Sequence, residues 1–258
     1  MRKITIIMLL SSCVFLASGC AGASKTPDDD FLSEIKAETQ LVCDDWDQVV
    51  SENMQIIQDI ATSQTTLDYM KAPDDENLKA SELDYIGNYE DNSNIALTGV
   101  DGMQVLNEDG DLKDVSDREY FNRAIQGESY VSDVIISKAS GNCKVVFSAP
   151  IKDGETILGI VQKDYDLFEF HKILADYEEA FLVDNAGYMA VNSRYEITAD
   201  NTEDLNSSEF MTSGQDDGYY SVDTGKGEKI VYYLTSPLSG WKICVTHDAK
   251  SGGLSIFK

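Results

Sequence analysis

From Asp30 to Met70 the chain runs for about 40 residues without a glycine or a proline, and within that run Ile35, Val42, Val49 and Ile56 recur every seven residues. A second stripe holds Trp46, Ile60 and Leu67, with Thr39 and Asn53 as its polar members. The spacing predicts one amphipathic helix over 30–72, roughly 60 Å long at 1.5 Å per residue. Ordinary globular helices are about 11 or 12 residues, so a helix of this length needs a coiled-coil partner or serves as the spine of an elongated molecule. Polar Thr39 and Asn53 interrupt a dimer seam, which favours the spine. Pro73, with Asp74, Asp75 and Glu76, ends it.

Past residue 85 the pattern changes to short strands and tight turns. Asp101-Gly102 lies between Ile95-Ala96-Leu97 and Met103-Gln104-Val105-Leu106, which predicts a hairpin. Asp109-Gly110 marks the next turn, and Ser116 or Asp117 is placed to cap a short helix through Glu119-Tyr120-Phe121. Strands are expected over Tyr130 to Ser137, Cys143 to Ala149 and Ile157 to Lys163, with turns at Ser140-Gly141-Asn142 and Lys152-Asp153-Gly154, followed by a connecting helix over 168–179. A second cycle, strand, glycine turn, strand, starts at Ala180 and closes with strands at Tyr219 to Val222, Lys229 to Leu234 and Trp241 to Thr246. Two copies of one architecture in tandem account for the order. The expected fold class is α+β, the long helix backing two tandem PAS-like antiparallel-sheet modules over 85–167 and 180–247, with a tail over 248–258.

The first residues set the compartment. Met1-Arg2-Lys3 precedes an apolar run from Ile4 to Ala17 and small residues at Ser18-Gly19-Cys20, the pattern of a secretory signal over 1–19. About 16 residues reach roughly 24 Å, short of the ~30 Å hydrocarbon layer, so a spanning helix is the weaker reading. Leu16-Ala17-Ser18-Gly19-Cys20 resembles a bacterial lipobox, departing from it at Ala17, where leucine is commoner. The resemblance implies lipidation of Cys20, a tether over 20–29, and a lipid-anchored position outside the cytoplasm. Removing Arg2 and Lys3 with the signal moves the net charge from −26 to −28. Such a surface repels phosphate backbones, which argues against a nucleic-acid partner. Beyond Cys13 and Cys20, the chain has Cys43, Cys143 and Cys244, an odd number without CxxC spacing, so a disulfide scaffold is not expected.

The ordered set Asp117-Arg118-Glu119-Tyr120-Phe121, Ser148-Ala149-Pro150 and Gly159-Ile160-Val161-Gln162-Lys163-Asp164, with Pro237-Leu238-Ser239-Gly240-Trp241-Lys242-Ile243 in the second half, resembles the double Cache family. These are extracytoplasmic sensor modules of bacterial chemoreceptors and sensor kinases, and the resemblance spans residues 30–247. It implies a small-molecule site in the membrane-distal module, between the sheet and a lid of loops and short helices. By position Arg118 would face a ligand carboxylate, Tyr120 and Tyr130 would wall the site, and Asp164 would receive an ammonium. Asp133 is a secondary candidate and Asp166 a fallback. The pairing is chemically sound, because a guanidinium fork binds a carboxylate in a bidentate way. Two positions depart from the amino-acid-binding pattern: Lys113 where tyrosine is general, and Tyr120 where tryptophan is preferred. An amino acid and a simple carboxylate both fit.

No catalytic constellation stands out. His171 and His247 lie in no metal-ligand spacing, and there is no GxSxG, phosphate loop or GxGxxG. Asn107, Asp109 and Asp111 have the first spacing of an EF-hand loop, but Leu112 replaces its glycine and Arg118 its closing glutamate, so a turn is expected. The expectation is a sensor without metal, cofactor or enzymatic activity, signalling through a membrane partner because no output segment follows Thr246. The competing readings are the truncated ectodomain of a receptor, an acidic secreted hydrolase and an adhesive surface lipoprotein.

Overall fold

The computed structural model describes residues 27–89, 95–107, 110–136 and 142–249. The signal segment, Cys20, most of the tether, Asp109, the Ser140-Gly141 turn and the tail from 250 lie outside the described residues.

Helix α1 (Asp29–Thr62) starts at Asp28, whose side chain accepts from the Asp30 backbone N–H at 3.1 Å. It does not run on to residue 72. Ser63 is extended, and its hydroxyl accepts from Thr66 N–H at 3.1 Å, opening a separate helix α2 (Gln64–Lys71). Serine and threonine hydroxyls compete for backbone groups, so a helix can stop here without glycine or proline. The buried stripe of α1 also drifts from the heptad. Ile35, Val42, Trp46 and Val49 are buried, but at the next step Ile57 is buried and Ile56 is only partly so. A straight helix falls ~20° behind a seven-residue repeat at each heptad, which brings the next residue round to the core. Asp75 caps α3 (Glu76–Ile86) through the N–H groups of Asn77 and Leu78.

The first sheet contains β1 (Ile95–Gly99), β2 (Gln104–Asn107) and, after the short helix α4 (Glu119–Ala124), β3 (Tyr130–Val131), β4 (Ile135–Ile136), β5 (Cys143–Asp153) and β6 (Thr156–Asp166). Its order is β2-β1-β6-β5-β3, with β4 also on β5, and every pairing is antiparallel. The strand expected over Tyr130 to Ser137 is thus two short pieces. Between them the Ser132 hydroxyl accepts from Val146 N–H at 2.9 Å, taking the place of a ladder bond. Helix α5 (Leu167–Leu174) is shorter than the 168–179 expected and is capped by Asp166.

The second sheet holds β7 (Ala180–Val183), β8 (Met189–Asn192) and, after α6 (Glu209–Thr212), β9 (Asp217–Asp223), β10 (Glu228–Thr235) and β11 (Lys242–Asp248). Its order, β8-β7-β11-β10-β9, repeats the path β2-β1-β6-β5-β3 of the first sheet: a hairpin, then the last strand, the one before it and the first strand after the short helix, with β4 as the first sheet's addition. The fold is α+β, two antiparallel sheets backed by one long helix.

The core is continuous along α1. Val145, Phe147, Ala149, Ile151 and Val161 turn one face of the first sheet toward the helix side. In the second module Trp46 stacks on Trp241 with ring centroids 4.7 Å apart and meets Phe170 edge-on at 5.1 Å. Its indole N–H donates to the Ser239 hydroxyl at 2.8 Å. The opposite face of the first sheet, with Val146 and Ile160, packs under α4 against Val115, Tyr120, Phe121 and Ala124. Strand alternation decides which residues reach that second face.

Candidate ligand-binding site

The lid of the distal module is tied down before it reaches α4. Val115 N–H donates to the Gly102 carbonyl at 2.8 Å, and Lys113 N–H to Gln104 Oε1 at 3.0 Å. Gly102 has φ +85°, and a Cβ there would lie 2.4 Å from the Ser116 Cβ, so the hairpin tip and lid touch where only glycine fits. The cap of α4 is neither Ser116 nor Asp117. Arg118 holds the N-cap position with extended backbone and makes no side-chain cap bond, because a guanidinium has no acceptor to offer an N–H; the preceding turn is tightened by the Asp114 carboxylate, which accepts from Ser116 N–H at 2.9 Å.

That geometry leaves the Arg118 side chain 41% exposed, with its Nε 3.5 Å from the exposed carboxylate of Asp117. Two residues later, Tyr120 drops into the module and is 5% exposed. Its carbonyl accepts from the Ser148 hydroxyl at 3.1 Å, and its own hydroxyl accepts from Gln162 Nε2 at 3.4 Å. Gln162 Oε1 in turn accepts from Thr98 Oγ1 at 3.2 Å. Burial pushes the Tyr120 hydroxyl up to about 12; the Asp164 carboxylate adds to the shift, while the Gln162 bond and the Arg118 guanidinium oppose it. Both charges thus act on the one Tyr120 hydroxyl, in opposite directions.

Asp164 is half-buried and pairs with the Lys144 ammonium. The register sets Val146 opposite Asp164, so Lys144 reaches it along the diagonal from two positions away on the same face of β5. Tyr130 is half-buried on β3, with the Arg123 guanidinium 5.2 Å from its ring centre. Arg123 also pairs with Glu119 at 3.2 Å and Glu128 at 3.4 Å. Burial, then the charges of Asp133 and Glu119, push the Tyr130 hydroxyl up to about 12.

Asp133 is drawn away from this group. Its Oδ1 accepts from Asn185 N–H at 3.0 Å, in the β7–β8 turn of the other module. Asp184 answers it: one oxygen accepts from Val134 N–H at 3.0 Å, the other from Tyr188 N–H at 2.8 Å. The fallback Asp166 is likewise engaged, capping α5 and accepting from Asn142 Nδ2 at 3.0 Å. Lys113 is exposed and pairs with Asp111.

Sequence reasoning missed Lys144, Gln162, Ser148 and Thr98. Strand alternation from Val146 and Ile160 would have placed the first three on the lid face, but the pairing of Lys144 with Asp164 depends on register. Among the described residues no group of three or more His, Cys, Asp or Glu is arranged to hold a metal ion. His171 donates from Nδ1 to the Asn192 carbonyl at 2.8 Å, and His247 Nε2 meets Glu38 Oε2 at 2.7 Å, joining β11 to α1.

In the second module the space under α6 is filled by Phe210, which packs on Phe181, Tyr220 and Tyr233 with ring centres 5.8 to 6.3 Å apart. A cavity of about 10 Å³ lies against Leu167, His171, Val191 and Ile197, the space of one water. No described helix is long and apolar enough to cross a membrane.

A Cache domain family model matches residues 28–251. A search of curated proteins finds no match. Among solved structures, the ligand-binding domain of the Campylobacter jejuni chemoreceptor Tlp3, in complex with 4-methylisoleucine, is 12% identical with a TM-score of 0.62, covering 89% of this chain and 95% of that one. The extracellular domain of rpHK1S-Z16, named as a histidine kinase, is 16% identical with a TM-score of 0.68, covering 87% and 98%. The ligand-binding domain of the Pseudomonas fluorescens chemoreceptor CtaA, in complex with L-alanine, is 18% identical with a TM-score of 0.60, covering 87% and 98%. At these identities the likeness is one of fold.

Proposed function

Because the chain belongs to the double Cache family over residues 28–251, we propose that it is a non-catalytic sensor domain that binds an amino acid or small carboxylate in its distal module. The observation that carries this reading is that Tyr120 lies under α4, hydrogen-bonded to Gln162, with Asp164 two residues further along the same face of β6 and Arg118 at the head of α4. A pocket that takes in a carboxylate must replace the water it removes. Arg118 can do so with charge-assisted bonds worth roughly 1.5 to 3 kcal/mol each. Tyr120 and Tyr130 supply walls and hydroxyls, and Asp133 belongs to the joint between the modules. The packing of Phe210 with Phe181, Tyr220 and Tyr233 supports a spacer role for the second module.

On this reading the chain works outside the cytoplasm, held to the membrane by a lipid on Cys20 and signalling to a membrane partner. The lipobox-like Leu16-Ala17-Ser18-Gly19 before Cys20 motivates the anchor. Cys20→Ala should release the protein or leave it unprocessed; unchanged processing and retention would remove the anchor from the model.

The ligand is tested on the full-length chain by thermal shift against a panel of small acids and amino acids. A true ligand at 100 times its dissociation constant adds about 2.7 kcal/mol. Calorimetry should then show Arg118→Ala weakening that ligand at least tenfold. Equal affinity in parent and variant would refute the assignment of Arg118.

A further inference from the structure

We propose that the distal site selects carboxylates that lack an ammonium group, and that Lys144 is the residue that sets this preference. The inference rests on the reading of Arg118 as the carboxylate grip. Asp164 is the carboxylate on the lid face of β6, two residues from Gln162, and the Lys144 ammonium already holds it, both side chains being less than one-third exposed. The other acids around the site are committed as well. Glu119 is held by Arg123, Asp133 by the Asn185 N–H, and Asp166 by Asn142 Nδ2 and the Phe168 N–H. Asp117 stands in water beside Arg118 itself.

A ligand ammonium entering here would have to displace Lys144 from Asp164, leaving two cations to share one carboxylate in a site partly shielded from solvent. Like charges at a few ångströms repel strongly in such surroundings. A plain acid meets the opposite situation. Lys144 and Asp164 cancel, Arg118 is held, among the described residues, only by the exposed Asp117 at 3.5 Å and can turn to a ligand carboxylate, and the Tyr120, Gln162 and Thr98 chain stays intact. Lysine also does what a fixed guanidinium could not: its flexible stem can leave a carboxylate site open or closed according to its partner. Selection thus comes from repulsion of the wrong ligand as much as attraction of the right one.

The test uses three pairs that share a carbon skeleton and differ in the amino group: propionate and alanine, succinate and aspartate, 4-methylpentanoate and leucine. Calorimetry on the full-length chain should show at least one plain acid binding, and binding at least tenfold more tightly than its amino partner. In Lys144→Met, with folding checked by its thermal transition, Asp164 is released and the ratio should move at least tenfold toward the amino member. If that variant does not fold, Lys144→Gln takes its place; a ratio that stays at the parent's value in the folded variant overturns the role of Lys144. An amino member that binds the parent as tightly as its plain acid, or more so, overturns the selectivity. The proposed function survives that result if Arg118→Ala weakens both members alike. If none of the six compounds binds, or Arg118→Ala changes nothing, the carboxylate reading fails and the selectivity fails with it.

Discussion

Burial holds the carboxyls of Asp47, Glu82, Asp133 and Asp184 above their usual range, while hydrogen bonding to Glu38 holds His247 above its own. Both kinds of shift act in the same direction on stability. A carboxyl raised in the folded state binds its proton more tightly there than in the unfolded chain, so stability falls as pH climbs from about 4 through the raised value. Raised His247 contributes stability that is complete below about 6.5 and disappears as pH passes through its folded value. The groups facing it are Glu38, Glu34 and Glu178, all acidic. The protein should therefore melt at a higher temperature at pH 5.5 than at pH 8, with relief of the −26 net charge adding to the trend. In His247→Gln the portion of the change above pH 6.5 should shrink by roughly 2 to 4 °C, equivalent to ~1 kcal/mol for a partly exposed pair. Differential scanning calorimetry across that range checks the sign, and a melting temperature that rises with pH would refute it. At this scale Arg118, Tyr120 and Asp164 were recognisable as candidates because each stands in a recognisable run of neighbours. Lys144 was not, since its meaning comes from a strand register that brings residues 144 and 164 together across β5 and β6.

The elements were legible wherever a pattern repeats. The glycine-free stripe gives α1, and Asp101-Gly102 gives the β1–β2 hairpin. The break at Ser63 was hidden because it comes from one hydroxyl that prefers the Thr66 N–H to a helical carbonyl, in a run whose apolar periodicity carries on across it. Ser63→Ala removes that cap and should cost about 0.5 to 2 kcal/mol in urea unfolding. A stabilised variant with a longer helical signal would mean that the break is imposed by packing alone. The clamp of α1 on the second module is stronger. Trp46→Ala removes the ring that stacks on Trp241 and meets Phe170 edge-on, together with its bond to Ser239, and should cost roughly 3 to 5 kcal/mol.

Across the whole molecule two copies of one sheet order share one helix, and the copies are locked to each other by the exchange of carboxylates between Asp133 and Asp184. The tandem order was readable from strand spacing. The lock was not, because neither aspartate has a sequence neighbour that reveals a partner 50 residues away. Asp184→Ala leaves the Val134 and Tyr188 N–H groups without their acceptor, at about 1 to 3 kcal/mol each. Hydrogen exchange should speed up at those two amides while the β10–β11 ladder stays protected; uniform acceleration would instead mean global destabilisation. The shared helix has a further consequence for the order of folding. Trp46 finds its partner at Ser239, 193 residues later, so the segment synthesised first waits longest for its cover. Loop closure over such a span is slow, and until β10 and β11 arrive the part of α1 that packs on the second module, around Trp46, stays bare. A nascent chain of this design depends on its heavy acidic charge, or on a chaperone, to keep that stripe from associating with other chains.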